Sequence, residues 1–565
     1  MAEMDPTAAP PQLSEKEAEA KAKKDKKKAE KEKLKREKEE AKRLNAEKQA
    51  AIQAAARAAA AEDLAIDNYG QIKHTTKLAK AVPLREIGEE HIGKTITVRA
   101  WIQNARMQGK KMAFVELRDE SPWTIQGVVS ASPEGTPVST HMVKWVGGLN
   151  SESFIAVEAV VQKPHEPVKS TKVSNFELHL EKVYLVAAAP EMLGLNLATA
   201  SRAVGKLDEE EDLSEATAGL SVTEGAPTAS LATHLNNPAM HGRAAVSQAI
   251  DDIRIAVKDY FCDYLRARRF RCFFPPCLIG AASEGGANVF RLPYFDKEAY
   301  LAQSPQFYKQ IQIAKGRKRV YCVGPVFRAE NSNTPRHMTE FIGLDLEMEI
   351  EKDYHEVLHM LEGVLLYIFR NLAENYREEI ELVRSVYPSE EFLLPEAGKE
   401  VRLTFAEGQK LLREEGPEEF RNVTDTEDMS TPQEKALGAL VRKKFNTDFY
   451  VLDKFPVDAR PFYAMPDPEN PAVTNAYDFM MRGQEILSGG QRLHLPDQLE
   501  EVIRSKGLDP NQPGIKEYVD VFKSSGVPPH GGGGIGLDRV VAWYLNLPSV
   551  HLVADYPRTP KRLSP

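Results

Sequence analysis

Apolar and polar positions change rhythm several times along this chain, and each rhythm predicts a different element. Between about 91 and 189 the alternation has period two, the mark of strands with one buried face. Five such runs stand out, at 95–102, 113–119, 124–129, 154–161 and 176–184. Over 244–268 the period lengthens to that of an amphipathic helix, and Phe273-Phe-Pro-Pro-Cys-Leu278 follows it. An apolar run then ends in Arg328-Ala-Glu330, and a polar loop covers 331–335. Arg336, His337 and Phe341 come next, then a second strand-like run through Met348, so the two runs predict a hairpin. Near the far end, His530-Gly-Gly-Gly-Gly-Ile-Gly-Leu-Asp-Arg539 leads into an apolar, helix-like run over 540–547. Upstream of all this, 14–48 is Lys, Glu, Ala and Arg with almost no Gly, Pro or β-branched residue, a composition that favours helix.

Composition narrows the function classes. With 565 residues, 42% of them hydrophobic, the chain has room for about two or three domains with real cores. No apolar run is long enough to span a bilayer, so no membrane segment is expected. The first residues lack the basic and apolar regions of a secretory signal, and they are too acidic for a mitochondrial presequence. Four cysteines without Cys-x-x-Cys spacing predict reduced, unmetallated thiols. The expectation is a cytoplasmic protein. A net charge of −9 excludes a general basic field, so any nucleic-acid contact must come from local patches. One patch is the 14–48 segment, densest around Lys23, Lys24 and Lys27. It is either an arm that grips a nucleic-acid backbone without reading sequence or a solvated charged helix. The acidic run 208–212 has the wrong sign for a polyanion and carries no ligand assignment.

Chemistry concentrates in the hairpin and the glycine run. Arg328, Glu330, Arg336 and Phe341 offer cations, a carboxylate and an aromatic face to one ligand, and a guanidinium suits phosphate because its planar fork donates two parallel bonds. Consecutive glycines let a backbone approach a ligand and adopt positive φ. This run is neither a P-loop nor Gly-x-Gly-x-x-Gly after a first strand. The five alternating strands suggest an OB-type barrel, which takes single-stranded nucleic acid on one face. There, Phe114 is either a core aromatic or a platform for a base.

The hairpin and the glycine run together resemble motifs 2 and 3 of the class II aminoacyl-tRNA synthetases. Phe327-Arg-Ala-Glu-Asn-Ser-Asn333, Gln303-Ser-Pro-Gln-Phe-Tyr-Lys-Gln310 and Ile486-Leu-Ser-Gly-Gly-Gln-Arg492 are similar to the aspartyl-tRNA synthetases of eukaryotic cytosolic type, in subclass b. The resemblance covers about 95–565, with several independent motifs in the family's order. It implies an α+β fold: an antiparallel-sheet catalytic domain (236–565) preceded by an all-β OB-fold barrel (69–190) that binds the anticodon. A lysine-rich helical extension (1–68) and a hinge with a flexible acidic linker (191–235) complete the expected organisation. The 244–268 helix and the strand after it resemble motif 1, the family's dimer interface, so a homodimer is expected. A larger synthetase assembly is left open.

What the resemblance implies for single residues is specific. Arg328 would hold the α-phosphate and the substrate carboxylate. His337 and Arg539 would meet the outer phosphates of ATP, Phe341 and Arg539 would enclose the adenine, and Glu330 would contact the adenine or the tRNA end. Gly534 and Gly536 would line the nucleotide. Asp478 and Glu485 would hold Mg2+, an ion that takes one or two carboxylates plus phosphate oxygens and waters. Lys309 and Arg492 would pair the side chain of L-aspartate, and Gln303, Ser304, Gln306, Asp345 and Ser488 would hold the rest of it. Ser283 and Glu284, in a glycine-rich loop, would close over the amino acid. Phe114, Gln126 and Glu177 would contact the anticodon of tRNA(Asp), and Lys23, Lys24 and Lys27 its backbone.

Some positions depart from the family pattern. Pro335, Ile342, Gly531 and Asp538 differ from the usual residues, as do His234-Leu-Asn-Asn-Pro-Ala-Met-His-Gly-Arg243 and Asp555-Tyr-Pro-Arg-Thr559. They keep two rivals open: a synthetase for asparagine or for both tRNAs, and a paralogue that binds tRNA or a partner with lost or redirected chemistry. Lys309 argues against asparagine, because an uncharged amide leaves a buried cation uncompensated.

Overall fold

A computed structural model describes residues 63–207, 227–282 and 289–564. The lysine-rich segment with Lys23, Lys24 and Lys27, the acidic run 208–212, and Ser283 with Glu284 lie outside the described residues. The chain divides into two compact units between Met192 and Leu193.

In the first unit the alternating runs become strands β1 (Tyr69–Gln71), β2 (Thr95–Met107), β3 (Met112–Arg118), β4 (Thr124–Ser130), β5 (Phe154–Gln162) and β6 (Glu177–Ala187). They pair in the order β1-β6-β4-β3-β2-β5, and β5 also pairs with β6, which closes the sheet into a barrel. Closure runs through β2 to β6, and the short β1 is added beside β6. The inward positions Val98, Val115, Leu117, Ile125, Ile155, Val157 and Leu178 are fully buried, as period two requires. Helix α1 (Thr140–Gly147) starts where the Ser139 side chain accepts the Met142 amide, and it buries Met142, Val143 and Val146.

The second unit is built on one eight-stranded sheet. Its strands are β7 (Arg271–Cys272), β8 (Arg319–Phe327), β9 (Glu340–Glu349), β10 (Val401–Thr404), β11 (Phe449–Asp453), β12 (Ala476–Met481), β13 (Gln484–Gln491) and β14 (His530–Gly536). Their order is β10-β11-β12-β13-β14-β9-β8-β7. The six central strands are antiparallel, and the two edge strands pair parallel to their neighbours. The predicted hairpin is β8–β9, in register from Arg319 opposite Met348 to Phe327 opposite Glu340.

Helix α2 (Ala245–Ala267) packs against this sheet's core. It buries Val246, Ile250, Ile253, Val257, Phe261 and Leu265, a stripe at three- and four-residue spacing. It has no side-chain N-cap, so packing holds it, at about 1.5–3 kcal/mol per buried apolar side chain. The span 191–235 is packed at both described ends: Leu195, Val204, Leu207, Leu231 and Leu235 belong to the core of this unit.

Candidate active site

The glycine run forms β14, and the next residues form helix α3 (Leu537–Tyr544). No glycine from Gly531 to Gly536 has a positive φ, contrary to the expectation from composition. What requires glycine is room. A Cβ on Gly532 would lie 2.1 Å from the Leu346 carbonyl oxygen and 2.2 Å from Glu347 Oε2, and one on Gly534 would lie 3.0 Å from Asp345 Oδ1. The sheet thus carries its acids directly over a bare strand.

Register explains how distant residues meet. Asp478 faces Ser488, Ser488 faces Gly534, Gly534 faces Asp345 and Asp345 faces Cys322, one row across five strands. Neighbouring residues in such a row lie on the same face. Above it opens a cavity of about 550 Å³. Its walls include Arg328, Glu330, His337, Phe341, Glu485, Gly534, Gly536 and Arg539, all expected for ATP. The same cavity takes in Gln303, Ser304, Gln306, Lys309, Asp345, Ser488 and Arg492, expected for the amino acid. Asp478 is buried beside it.

One end of the cavity is a compensated charge cluster. Lys309 Nζ lies 2.8 Å from Asp345 Oδ1 and 3.6 Å from Glu347 Oε2. Arg492 Nε donates to Glu347 Oε1 at 3.1 Å. All four side chains are buried. Burial pushes both acids up. For Glu347 the cations Arg492 and Lys309 outweigh it and hold the carboxyl below its usual range, while Asp345 stays raised. A buried charge this well paired can persist, whereas an isolated one could not. Behind the cluster, Gln310 Nε2 donates to His530 Nε2 at 2.9 Å, and Tyr518 donates to Gln310 Oε1 at 2.8 Å.

The other end carries two loosely paired arginines and the aromatic face. Arg328 lies over the Phe341 ring at 5.4 Å and its NH1 is 3.9 Å from Glu330 Oε1. Arg539 NH1 lies 3.9 Å from Glu485 Oε1. The His337 ring meets the Thr334 hydroxyl at 2.5 Å. Burial, then Arg539 and Arg336, bring its pKa down to about 4, so His337 is neutral near pH 7. Arg336 turns aside, donating to Thr431 Oγ1 at 2.6 Å.

Arg460 and Glu347 were not foreseen from the sequence. Arg460 donates to Asp478 Oδ2 at 2.7 Å and to the Ser488 hydroxyl at 2.8 Å. Asp478 Oδ1 is buried with no donor in bonding geometry among the described residues. Burial, only partly offset by Arg460, brings Asp478 up to about 6, and Glu485 adds to the rise. Glu347 had one usable signal, since Asp345 and Glu347 share a face of one strand. Arg460 sits in a loop and had none.

On the barrel, Phe114 is half-buried on the outer side of β3, between the inward Ala113 and Val115. Arg106 lies over its ring at 5.2 Å. Gln126 donates to Glu177 Oε2 at 3.0 Å, and His179 lies 2.8 Å from Glu177 Oε1. These side chains form one polar and aromatic face, to which Arg106 and His179 are additions.

The comparisons match this architecture. The family described as tRNA synthetases class II (D, K and N) matches residues 230–560, and the OB-fold nucleic acid binding domain matches 96–186. The chain is 42% identical to the cytoplasmic aspartate–tRNA ligase of Rattus norvegicus over 90% of its own length and 96% of that protein's. It is 34% identical, with a TM-score of 0.75, to the aspartyl-tRNA synthetase structure from Entamoeba histolytica, covering 88% of this chain and 96% of that one. The asparaginyl-tRNA synthetase of Pyrococcus horikoshii complexed with asparaginyl-adenylate aligns with a TM-score of 0.70 at 27% identity, over 86% of this chain and all of that one. With the family matched over most of the chain and a close relative spanning nearly its own full length, the chain belongs to the class II aminoacyl-tRNA synthetases, in the aspartate–tRNA ligase family.

Proposed function

We propose that this ligase activates L-aspartate at the Lys309–Arg492 end of the cavity and ATP at the Arg328–Arg539 end. The observation that carries this is one cavity lined both by the buried cluster of two cations and two acids and by Arg328, Arg539 and the Phe341 ring. Lys309 and Arg492 receive the side-chain carboxylate, and Asp345 turns toward the substrate ammonium. Gln306 and Ser488 line the same end. Arg328 holds the α-phosphate against the attacking carboxylate. His337 and Arg539 meet the outer phosphates, and Phe341 stacks on the adenine. The carboxylate attacks the α-phosphorus, pyrophosphate leaves, and a terminal ribose hydroxyl of tRNA(Asp) takes the aspartyl group. Positioning and charge neutralisation carry the rate, with no side chain needed as a general base.

The residues present fit Mg2+. Asp478 and Glu485 supply carboxylate oxygens, one of them buried without a donor. An ion of this kind takes one or two carboxylates and completes its shell with phosphate oxygens and waters. Bound there, the ion would neutralise phosphate charge.

The outer barrel face with Phe114, Gln126 and Glu177 would read the anticodon, Lys23, Lys24 and Lys27 would hold tRNA backbone, and Ser283 with Glu284 would close over the amino acid. A homodimer is supported by apolar side chains left exposed on and after α2: Ile255, Phe274 and Leu278. Cytoplasmic location follows the relatives' names. The test is aminoacylation of transcribed tRNAs for Asp and Asn, each with labelled aspartate and asparagine. Charging of tRNA(Asp) with aspartate alone supports the proposal. Charging of tRNA(Asn), or with asparagine, would overturn its specificity.

A further inference from the structure

Two positions that depart from the family pattern, Asp538 and Asp555, converge on one side chain of the motif 1-like helix that the sequence did not single out. Arg254, on helix α2, donates from Nε to Asp538 Oδ1 at 2.8 Å and from NH1 to Asp555 Oδ2 at 2.9 Å. Asp538 is buried at 2% exposure and precedes Arg539 in the first turn of α3. That helix has no side-chain N-cap, so its start is not fixed by a local hydrogen bond from Gly536. Opposite Gly536 across the sheet stands Gly343, two residues from Phe341. Asp538 and Arg539 both line the cavity from that first turn, so the Asp538–Arg254 pair anchors the same turn that presents Arg539.

We infer that Arg254 is a positioning residue for nucleotide binding: by pairing Asp538 and Asp555 it fixes the β14–α3 turn and so the direction of Arg539. The inference rests on the proposed role of Arg539. A single guanidinium serves both carboxylates because its fork offers separate donors at Nε and NH1, which a lysine cannot reproduce. Burial pushes the Asp538 carboxyl up; Arg254 is the foremost group holding it down, with the Ile342 backbone amide after it. Without it, an uncompensated buried charge would sit one residue from Arg539. Asp555 is half-exposed and steadies the outer side of the guanidinium.

The experiment is ATP–pyrophosphate exchange on the full-length protein, with KM measured separately for ATP and for aspartate. For Arg254→Gln the expected result is a KM for ATP raised about 10-fold or more, with KM for aspartate within about twofold of wild type. Arg254→Lys should recover only part of that loss. The double variant Arg254→Gln with Asp538→Asn should be no worse than Arg254→Gln alone, since both remove one interaction. Should Arg254→Gln fail to fold, Arg254→Lys and Asp555→Asn carry the same comparison, each expected to raise KM for ATP selectively. An unchanged KM for ATP in the folded variants, or equal rises in both KM values, would overturn the inference. Arg539→Lys is run alongside. If it leaves KM for ATP unchanged, the role of Arg539 is wrong. If it raises that KM while the Arg254 variants do not, only the present inference fails.

Discussion

Glu347 accepts from Arg492 Nε at 3.1 Å inside the sheet, with neither side chain reaching solvent appreciably. The second oxygen of Glu347 lies 3.6 Å from Lys309, so one acid restrains both cations expected to choose the substrate. Their charge is thus compensated before any ligand arrives, and their geometry is fixed in advance. Glu347→Gln should loosen both. The expected outcome is a KM for aspartate raised about 10- to 100-fold, as for a charged hydrogen bond worth roughly 1.5–3 kcal/mol, with KM for ATP little changed. An unaltered KM for aspartate would refute this role.

Lys309→Met tests substrate selection itself. It strands Asp345 beside Glu347, both buried, so stability should fall by about 3–5 kcal/mol and pyrophosphate exchange with aspartate should become undetectable or nearly so. Thermal unfolding of Lys309→Met beside Glu347→Gln checks it. Full exchange activity in Lys309→Met would rule out a contact between Lys309 and the substrate carboxylate.

The glycines of β14 are expected to differ from glycines elsewhere. Gly532→Ala places a methyl 2.1 Å from a backbone oxygen and 2.2 Å from Glu347, and should cost about 1–3 kcal/mol or more through forced displacement. At Gly526 nothing lies within 4 Å of the added Cβ, so Gly526→Ala should be nearly neutral. Denaturant titration of the two variants distinguishes them.

Asp251 gives a pH dependence with a definite sign. Burial, and then Asp555, bring its carboxyl up to about 7 from an ordinary value near 3.8. The folded state therefore keeps a proton that the unfolded chain releases, and this group's contribution to stability falls as pH rises from about 4 to 7. Asp251→Asn removes that dependence. Its Tm relative to wild type should be higher at pH 8 than at pH 5, by about 1–2 °C for each kcal/mol relieved. An equal difference at both pH values would refute the assignment.

The barrel and the catalytic unit should separate functionally. Phe114→Ala removes a stacking face of about 1–3 kcal/mol and should raise KM for tRNA about 10- to 100-fold, with tRNA-independent pyrophosphate exchange unchanged. Loss of exchange activity in Phe114→Ala would contradict this division.

What the sequence determined by itself was local. Period-two alternation marked every long barrel strand, and the hairpin was legible although its connection, 328–339, is longer than the polar run 331–335, because strand and turn preferences act over a few residues. Lys309, Arg328, Arg492 and Arg539, which line the cavity, were visible for the same reason, since each lies within a short motif. What only the tertiary structure decided was pairing across distance. Glu347 meets Arg492 across 145 residues, and Arg254 meets Asp538 across 284. Those partners depend on the strand order β13-β14-β9, which no local pattern encodes. The same holds for the glycine run. Composition suggested unusual backbone angles, while the folded sheet uses an ordinary strand stripped of side chains to seat two carboxylates. Periodicity fixes the face a side chain occupies. The charge it meets there is set only when the strands assemble.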